Sequence, residues 1–163
     1  MNASLAFTFD AAAVRWRPLR EADVPAVAAL ERDSHVAPWT PGNFIDALAA
    51  GYGMVVGEFF GSIVAYGVLL LAPGEAQLLN LTVAPQARRQ GIGRALLRRF
   101  LADARERGAE QCFLEVRESN APAIALYAAE GFLPVARRVA YYPPGLTGQR
   151  EDALVMRRAL PRH

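Results

Sequence analysis

Between residues 88 and 94 the chain reads Arg88-Arg89-Gln90-Gly91-Ile92-Gly93-Arg94, a basic run broken by two glycines. It follows an apolar stretch of strand composition, Leu78, Leu79, Leu81 and Val83, closed by Ala84-Pro85. It precedes a segment in which Ile92, Leu96, Leu97, Phe100, Leu101 and Ala104 recur at helical spacing. Gly91 and Gly93 therefore stand at the first turn of a helix. Backbone N–H groups there lack intrahelical partners and carry partial positive charge, and glycines without Cβ let a phosphate approach closely. The chemistry predicted is pyrophosphate binding.

Several loops could hold that phosphate. A Walker A loop requires Lys before Ser or Thr, but Arg94-Ala95 stand here and the chain contains no lysine. A dinucleotide fingerprint requires Gly-x-Gly-x-x-Gly/Ala close behind a strand, whereas Leu96 occupies the third position and the loop lies well beyond Val83. Glu115 does stand roughly 20 residues on, where a ribose-binding acid would fall. What remains is a longer loop ending in Arg88-x-x-Gly91-x-Gly93. The alternative is a plain helix start with solvated arginines.

A second group of residues follows. Gln111 to Val116 reads as a strand in which Glu115 shares its face with Phe113 and Arg117, opposite Cys112, Leu114 and Val116. An acid in such a strand needs a partner, and a surface pair with Arg117 is the plain reading. Asn120-Ala121-Pro122 opens a helix through Ile124, Leu126 and Tyr127, the last half-buried in the core on the plain reading. Earlier, His35 and Trp39 sit in a loop beside Pro38 and Pro41. They form either a substrate wall or a core plug with a solvated histidine. Cys112 is the single cysteine, so no internal disulfide can form; its apolar strand makes it a buried small hydrophobe and suggests a reducing compartment.

Elements that would carry these residues follow from pattern and turn chemistry. Residues 1–13 read as a weakly structured arm, and 14–160 as one domain, since 163 residues suffice for a single core. Val14 to Arg17 alternates before Pro18 as a short first strand. Leu19 to Leu30 is helical, with Ala22, Val24, Val27, Ala28 and Leu30 as its apolar face and Asp23-Pro25 at its start. Thr40-Pro41 resembles an N-cap followed by proline at the first helical position. Met54–Phe59, Ile63–Leu71 and the run into Val83 are joined by glycine turns and predict an antiparallel meander. Gly108 is a helix C-cap candidate, and the strand after it can return parallel to Leu78–Val83. Phe132–Tyr142 and Asp152–Leu160 close the chain as a hairpin around the loop Pro143–Gln149. The fold class predicted is α+β, with a mixed sheet.

Composition limits the function classes. Hydrophobic residues make up 53% and charged ones 21%, which is globular; the net charge is +2, and arginines concentrate after residue 88 without forming one long basic face. That suits local anion binding rather than a nucleic-acid surface. The N-terminal residues lack a basic start and carry Asp10, unlike a signal peptide, and no apolar run approaches the roughly 18 residues of a membrane span. A cytoplasmic protein without membrane contact is expected.

With these residues on the page, the chain resembles the GNAT acetyltransferases, whose acetyl-CoA pyrophosphate loop has the form Gln/Arg-x-x-Gly-x-Gly/Ala between the fourth strand and third helix. The order of elements fits over nearly the whole chain. More narrowly, Leu114-Glu115-Val116-Arg117-Glu118-Ser119-Asn120-Ala121-Pro122-Ala123-Ile124-Ala125-Leu126-Tyr127, Arg138-Val139-Ala140-Tyr141-Tyr142-Pro143, Arg150-Glu151-Asp152-Ala153-Leu154-Val155-Met156 and Pro38-Trp39-Thr40 resemble the RimI-type ribosomal-protein-alanine acetyltransferases.

The resemblance implies a central, mostly antiparallel twisted sheet of about seven strands with a parallel splayed pair, flanked by about four helices. It implies acetyl-CoA as co-substrate and no metal. Backbone groups of Leu81, Thr82 and Val83 would run beside the pantetheine arm; those of Arg89, Gln90, Gly91, Ile92, Gly93 and Arg94 would hold the pyrophosphate, and Asn120 would hydrogen-bond the cofactor. Glu115 matches the family's proton acceptor and Tyr127 its proton donor. Trp39 and Tyr142 are the candidates for contact with the acceptor. That acceptor would be a protein N-terminus, the alanine of a small-subunit ribosomal protein. Other readings are a GNAT acting on lysine side chains or small amines, and a non-catalytic acyl-CoA-binding regulatory module.

Overall fold

The computed structural model describes residues 10–145 and 148–162. Most of the expected arm, residues 1–9, and the middle of the loop after Pro143 lie outside the described residues. The end of the arm is a helical turn at Ala11–Ala13, capped by the Asp10 carboxylate, which accepts from Ala12 N–H at 2.9 Å.

Strands β1 (Arg15–Pro18), β2 (Gly53–Phe59), β3 (Ser62–Ala72), β4 (Glu75–Val83), β5 (Gln111–Arg117), β6 (Leu133–Tyr142) and β7 (Glu151–Ala159) form one sheet in the order β1-β2-β3-β4-β5-β7-β6. Every neighbouring pair is antiparallel except β4 with β5. Helices α1 (Val24–Ser34), α2 (Pro41–Ala49), α3 (Ile92–Glu106) and α4 (Ala121–Ala129) complete the fold. This is the mixed α+β architecture that the sequence predicts.

The parallel pair is short. Its register runs from Glu75 opposite Gln111 to Leu78 opposite Leu114 and goes no further, although β4 continues to Val83 and β5 to Arg117. At the same level the β3–β4 register slips: Leu69 faces Leu78 and Val68 faces Asn80, so Leu79 is an extra residue on β4. A bulge bends its strand and increases local twist. β4 therefore turns away from β5 where the bulge lies.

Helices pack on both faces. Consecutive residues of β3, Val68 and Leu69, belong to different cores because side chains alternate across a strand. On one side, Val27, Ala28 and Phe44 of α1 and α2 meet Met54, Val56 and Tyr66. On the other, the apolar stripe of α3 meets Ala76, Leu78, Cys112, Leu114 and Met156; all six stripe residues named from the sequence, Ile92 to Ala104, are buried. Each fully buried Leu, Ile or Phe contributes about 1.5–3 kcal/mol relative to exposure. α3 ends as expected: Gly108 takes φ +87°, Ala109 N–H reaches Ala104 O at 2.9 Å, and Gly108 N–H reaches Arg105 O at 3.1 Å.

The first helix departs from the sequence reading. Leu19 is not helical; a separate turn occupies Glu21–Asp23, and α1 runs from Val24 past Leu30 to Ser34. Pro25 lies in its first turn, where a missing N–H costs nothing. Its buried face is Val24, Val27, Ala28 and Glu31, while Ala22 is exposed. An acid thus fills an inward position that helical spacing leaves for an apolar residue. At the far edge of the sheet, β6 is exposed along nearly its whole length, including Leu133, Val135 and Val139.

Contact between α3 and the sheet depends on Gly67, where an added Cβ would lie 2.5 Å from Phe100 Cε2 and 2.9 Å from Asn80 O. Because the latter is backbone, relief requires α3 or β4 to move. Gly67→Ala should lower stability by about 1–3 kcal/mol, as overpacking does, measured as a reduced urea midpoint at unchanged slope.

Candidate active site

Where β4 and β5 part, a cavity of about 210 Å³ opens between them. Leu79 to Leu81 of β4 form one wall, and Leu114 to Arg117 of β5 the other. Asn120, Ala123 and Tyr127 close the α4 side. Glu31, His35 and Trp39 close the α1 side, and Tyr142 reaches in from β6. The cleft thus brings together Glu115, Tyr127, Asn120, Leu81, Trp39 and Tyr142, residues widely separated in the chain.

Backbone groups line its edge as well. Ala84 N–H donates to Val64 O on β3 at 2.8 Å. Backbone polar groups alternate sides along a strand, so those of Val83 and Leu81 face the opposite edge, which β5 has left. Thr82, in contrast, pairs with Tyr66 across β3 and turns its side chain into a polar network beneath the cleft.

The glycine loop lies at the end of that same strand and contributes no wall to the cavity. Arg89 takes φ +64° and Gly91, the N-cap of α3, φ +80°. Left-handed residues in a loop turn successive N–H groups towards one side, forming an anion-binding concavity. A Cβ on Gly93 would touch Val83 Cγ2 at 3.4 Å, so the helix start packs closely on the strand end. The arginines are partly engaged: Arg88 Nε donates to Val83 O at 3.2 Å, and Arg94 pairs with Glu130 at 3.1 Å. Arg98 also binds Glu130, at 3.0 Å, tying the first turns of α3 to the end of α4.

Glu115 faces the cleft with 18% of its side chain exposed, and its Oε1 lies 3.1 Å from Arg138 Nε. The Glu115–Arg117 surface pair, one of the alternatives in the sequence, is absent. Arg117 instead stacks 4.4 Å over the Tyr142 ring and sits 3.7 Å from Glu151. Arg138 comes from β6, two strands away from β5. A bulge in β6 between Arg138 and Tyr142 delivers it together with Tyr141 and Tyr142. Within the bulge Ala140 adopts φ +50°, held by its N–H to Asp152 Oδ1 at 2.8 Å and by Arg150 Nε to its carbonyl at 2.9 Å.

Tyr127 is buried on α4, packed edge-on against Phe132 with ring centroids 5.8 Å apart. Burial pushes its phenol well above the ordinary tyrosine range, with Tyr142 and Cys112 adding to the effect. It belongs both to the core and to the lining of the cleft. Tyr142 is raised to about 12, first by burial and then by the Glu115 charge. Trp39 packs on Phe44 at 5.2 Å and lines the cleft. Asn120 caps α4, its Oδ1 accepting from Ala123 N–H at 3.3 Å. Cys112 is buried, its thiol pushed up to about 12 by burial, as expected of a packing residue.

Sequence reasoning missed a polar network at the cleft and beneath it: Glu31 and Asn80, which line the cavity, with Tyr66 and the Thr82 side chain behind them. Glu31 is 1% exposed; the Tyr66 hydroxyl donates to its Oε1 at 3.1 Å, and the Asn80 amide to both its oxygens at 2.9 and 3.0 Å. His35 Nε2 is 3.1 Å from the same carboxylate and 2.7 Å from Thr82 Oγ1, so it is not merely solvated. The available signal was Glu31 at helical spacing with Val24, Val27 and Ala28, one turn before His35. Among the described residues no cluster of His, Cys, Asp and Glu is arranged to hold a metal ion, and no helix is long and apolar enough to cross a membrane.

Comparison with known proteins matches residues 19–132 to the model of the acetyltransferase (GNAT) family. The [ribosomal protein bS18]-alanine N-acetyltransferase of Escherichia coli K12 is 38% identical over 143 residues, covering 88% of this chain and 94% of that protein. The crystal structure of the ribosomal-protein-S18-alanine N-acetyltransferase from Escherichia coli superposes with a TM-score of 0.85 at 35% identity, over 92% of this chain and 96% of that one. Naa20 of Chaetomium thermophilum, solved in complex with a bisubstrate analogue, gives 0.78 at 28% identity over 90% and 87%.

The bulge that shapes the β6 side of the cleft predicts a pH dependence. Ala140 N–H and Arg137 hold the Asp152 carboxyl below the ordinary value of 3.8. A carboxylate so depressed contributes stability above its ordinary value and loses it as the pH falls through the lowered one. Wild type should therefore lose stability more steeply than Asp152→Asn below pH 3.8, a difference read from urea midpoints at successively lower pH.

Proposed function

The chain belongs to the GNAT acetyltransferase family, and from that premise we propose that it transfers the acetyl group of acetyl-CoA to the N-terminal α-amine of an alanine-starting protein, a small-subunit ribosomal protein being the acceptor. The observation that carries the reading is one cleft, lined by Glu115 and Tyr127, at the open edge of β4. Relatives that match over most of their length carry the ribosomal-protein-alanine activity in their names. On this reading residues 14–160 act as one acetyltransferase domain in the cytoplasm.

The residues present fit acetyl-CoA as co-substrate. The backbone of Leu81 and the N–H of Val83, on the side β5 has left, suit the amide groups of a pantetheine arm, while Val83 O is engaged by Arg88. The left-handed positions at Arg89 and Gly91 and the N-terminus of α3 suit a pyrophosphate, with N–H groups of Gln90 to Arg94 as donors. Arg94 contributes backbone only, since its side chain is held by Glu130. Asn120 remains at the cleft for a further hydrogen bond.

For transfer, the amine nitrogen attacks the thioester carbonyl, the developing oxyanion accepts from a backbone N–H of β4, and the thiolate leaves. Glu115 removes a proton from the amine through water. Tyr127, kept protonated by burial, returns a proton to the thiolate; a phenol with ordinary pKa about 10 can protonate a thiolate whose acid has about 8.5. Trp39 and Tyr142, on opposite sides of the cleft, contact the first residues of the acceptor.

Tyr127→Phe should reduce kcat by about 10²–10⁴ while leaving the acetyl-CoA dissociation constant near normal, and Glu115→Gln should act similarly. A peptide panel that varies only the first residue, with a blocked counterpart, tests the acceptor. Acetylation of a free N-terminal alanine is expected; acetylation of the blocked peptide on lysine would replace this reading with that of a side-chain acetyltransferase.

A further inference from the structure

The acceptor amine must lose two protons. A protein α-amine has a reference pKa of about 7.7–8.0, so it arrives at neutral pH mostly as ammonium. One proton must leave before attack and another afterwards. Glu115 accounts for one, and the opposite wall of the cleft holds a group suited to the other.

Hydrogen-bond logic fixes the state of that group. The Glu31 carboxylate only accepts, so the end of Asn80 facing it at 2.9 and 3.0 Å is the amide nitrogen, leaving Asn80 Oδ1 to face Thr82. The Thr82 hydroxyl donates its single proton to that oxygen at 2.7 Å. Towards His35 Nε2, also at 2.7 Å, Thr82 Oγ1 can then only accept. The second neighbour of Nε2, Glu31 Oε1 at 3.1 Å, is likewise an acceptor. Nε2 therefore carries the hydrogen, and the basic nitrogen of the neutral ring is Nδ1. A carboxylate that fixes an imidazole tautomer also stabilises the imidazolium formed from it.

The surroundings of His35 agree. Glu31 of α1 favours its cation; burial, Arg88 of the glycine loop and Arg117 of β5 disfavour it, and the balance lies below the ordinary histidine value. Tyr66 of β3, pushed far above the ordinary tyrosine range by burial and by Glu31, stays a neutral donor. Among the described residues no arginine pairs with Glu31. The His35 side chain keeps 39% of its surface exposed, which gives a proton a way out to solvent. Glu31, His35, Glu115 and Tyr127 all line the same cavity.

We propose that His35 is a second proton acceptor of this site, taking the first proton from the acceptor's α-ammonium, with Glu31 and Thr82 as positioning residues that fix its tautomer. An ammonium N–H bond breaks, an Nδ1–H bond forms, and the electron pair stays on the amine nitrogen for attack. The imidazolium pairs with Glu31 and then releases its proton to water. Glu115 takes the second proton after attack. The inference rests on the α-amine reading above.

His35→Gln tests it, with kcat/KM measured from pH 6 to 9 on an alanyl peptide alongside acetyl-CoA affinity. The variant should lose roughly tenfold at pH 6.5 and converge on wild type above about pH 8.5, where the amine arrives neutral. Glu31→Gln should show the same pH-dependent loss with acetyl-CoA affinity retained. A loss that is equal at every pH, or no loss, overturns the proposal. If the variants fail to fold, ¹⁵N-histidine spectra of the wild type decide: an Nε2–H tautomer supports the proposal, and an Nδ1–H tautomer overturns it. Failure of the underlying reading is distinct, because the wild type would then leave the free alanyl amine unacetylated.

Discussion

The site depends on two parallel strands that pair over four registers and then separate. A buried strand normally has both rows of backbone groups satisfied by neighbours, and leaving one row open costs stability unless something else binds it. The extra residue at Leu79 bends β4 at the level where pairing ends, so the opening is built into the β3–β4 register. The cavity, the exposed backbone row and the placement of the glycine loop beyond Val83 all follow from that bend.

Two carboxylates occupy this opening in opposite surroundings. Glu115 is met by an arginine from a distant strand, and Glu31 by an amide, a phenol and an imidazole, all uncharged at neutral pH. Burying an ionised acid is expensive unless every lone pair finds a donor. The sheet supplies those donors to Glu31 from two strands, while α1 supplies both the acid and, one turn later, the histidine. Burial sets the third group, Tyr127, whose proton is retained because its anion would be poorly solvated.

Local pattern made much of this visible beforehand. The α3 stripe could be read residue by residue because a period of 3.6 is a local signal, and Gly91 and Gly108 marked its ends through backbone conformations that other residues avoid. The face of Glu115 followed from strand parity. Its partner did not, because Arg138 reaches it across β7 by way of a bulge, and pairing between strands distant in sequence leaves no local trace. Glu31 was hidden for a related reason: an acid on a helix reads as solvated until the strands that hold its donors are in place. The start of α1 was misread because Leu19 is apolar and close to the helix, yet its N–H goes to Met54 O in the sheet region.

β6 is the far edge of the sheet. A long exposed β6 with Leu133, Val135 and Val139 outward is the kind of edge on which other chains grow as added strands. Pro134 removes a backbone donor from that strand, and the left-handed turn at Ala140 breaks its line before Tyr142. The kink that brings Tyr142 to the cleft thus also interrupts the regular edge that an added strand would need.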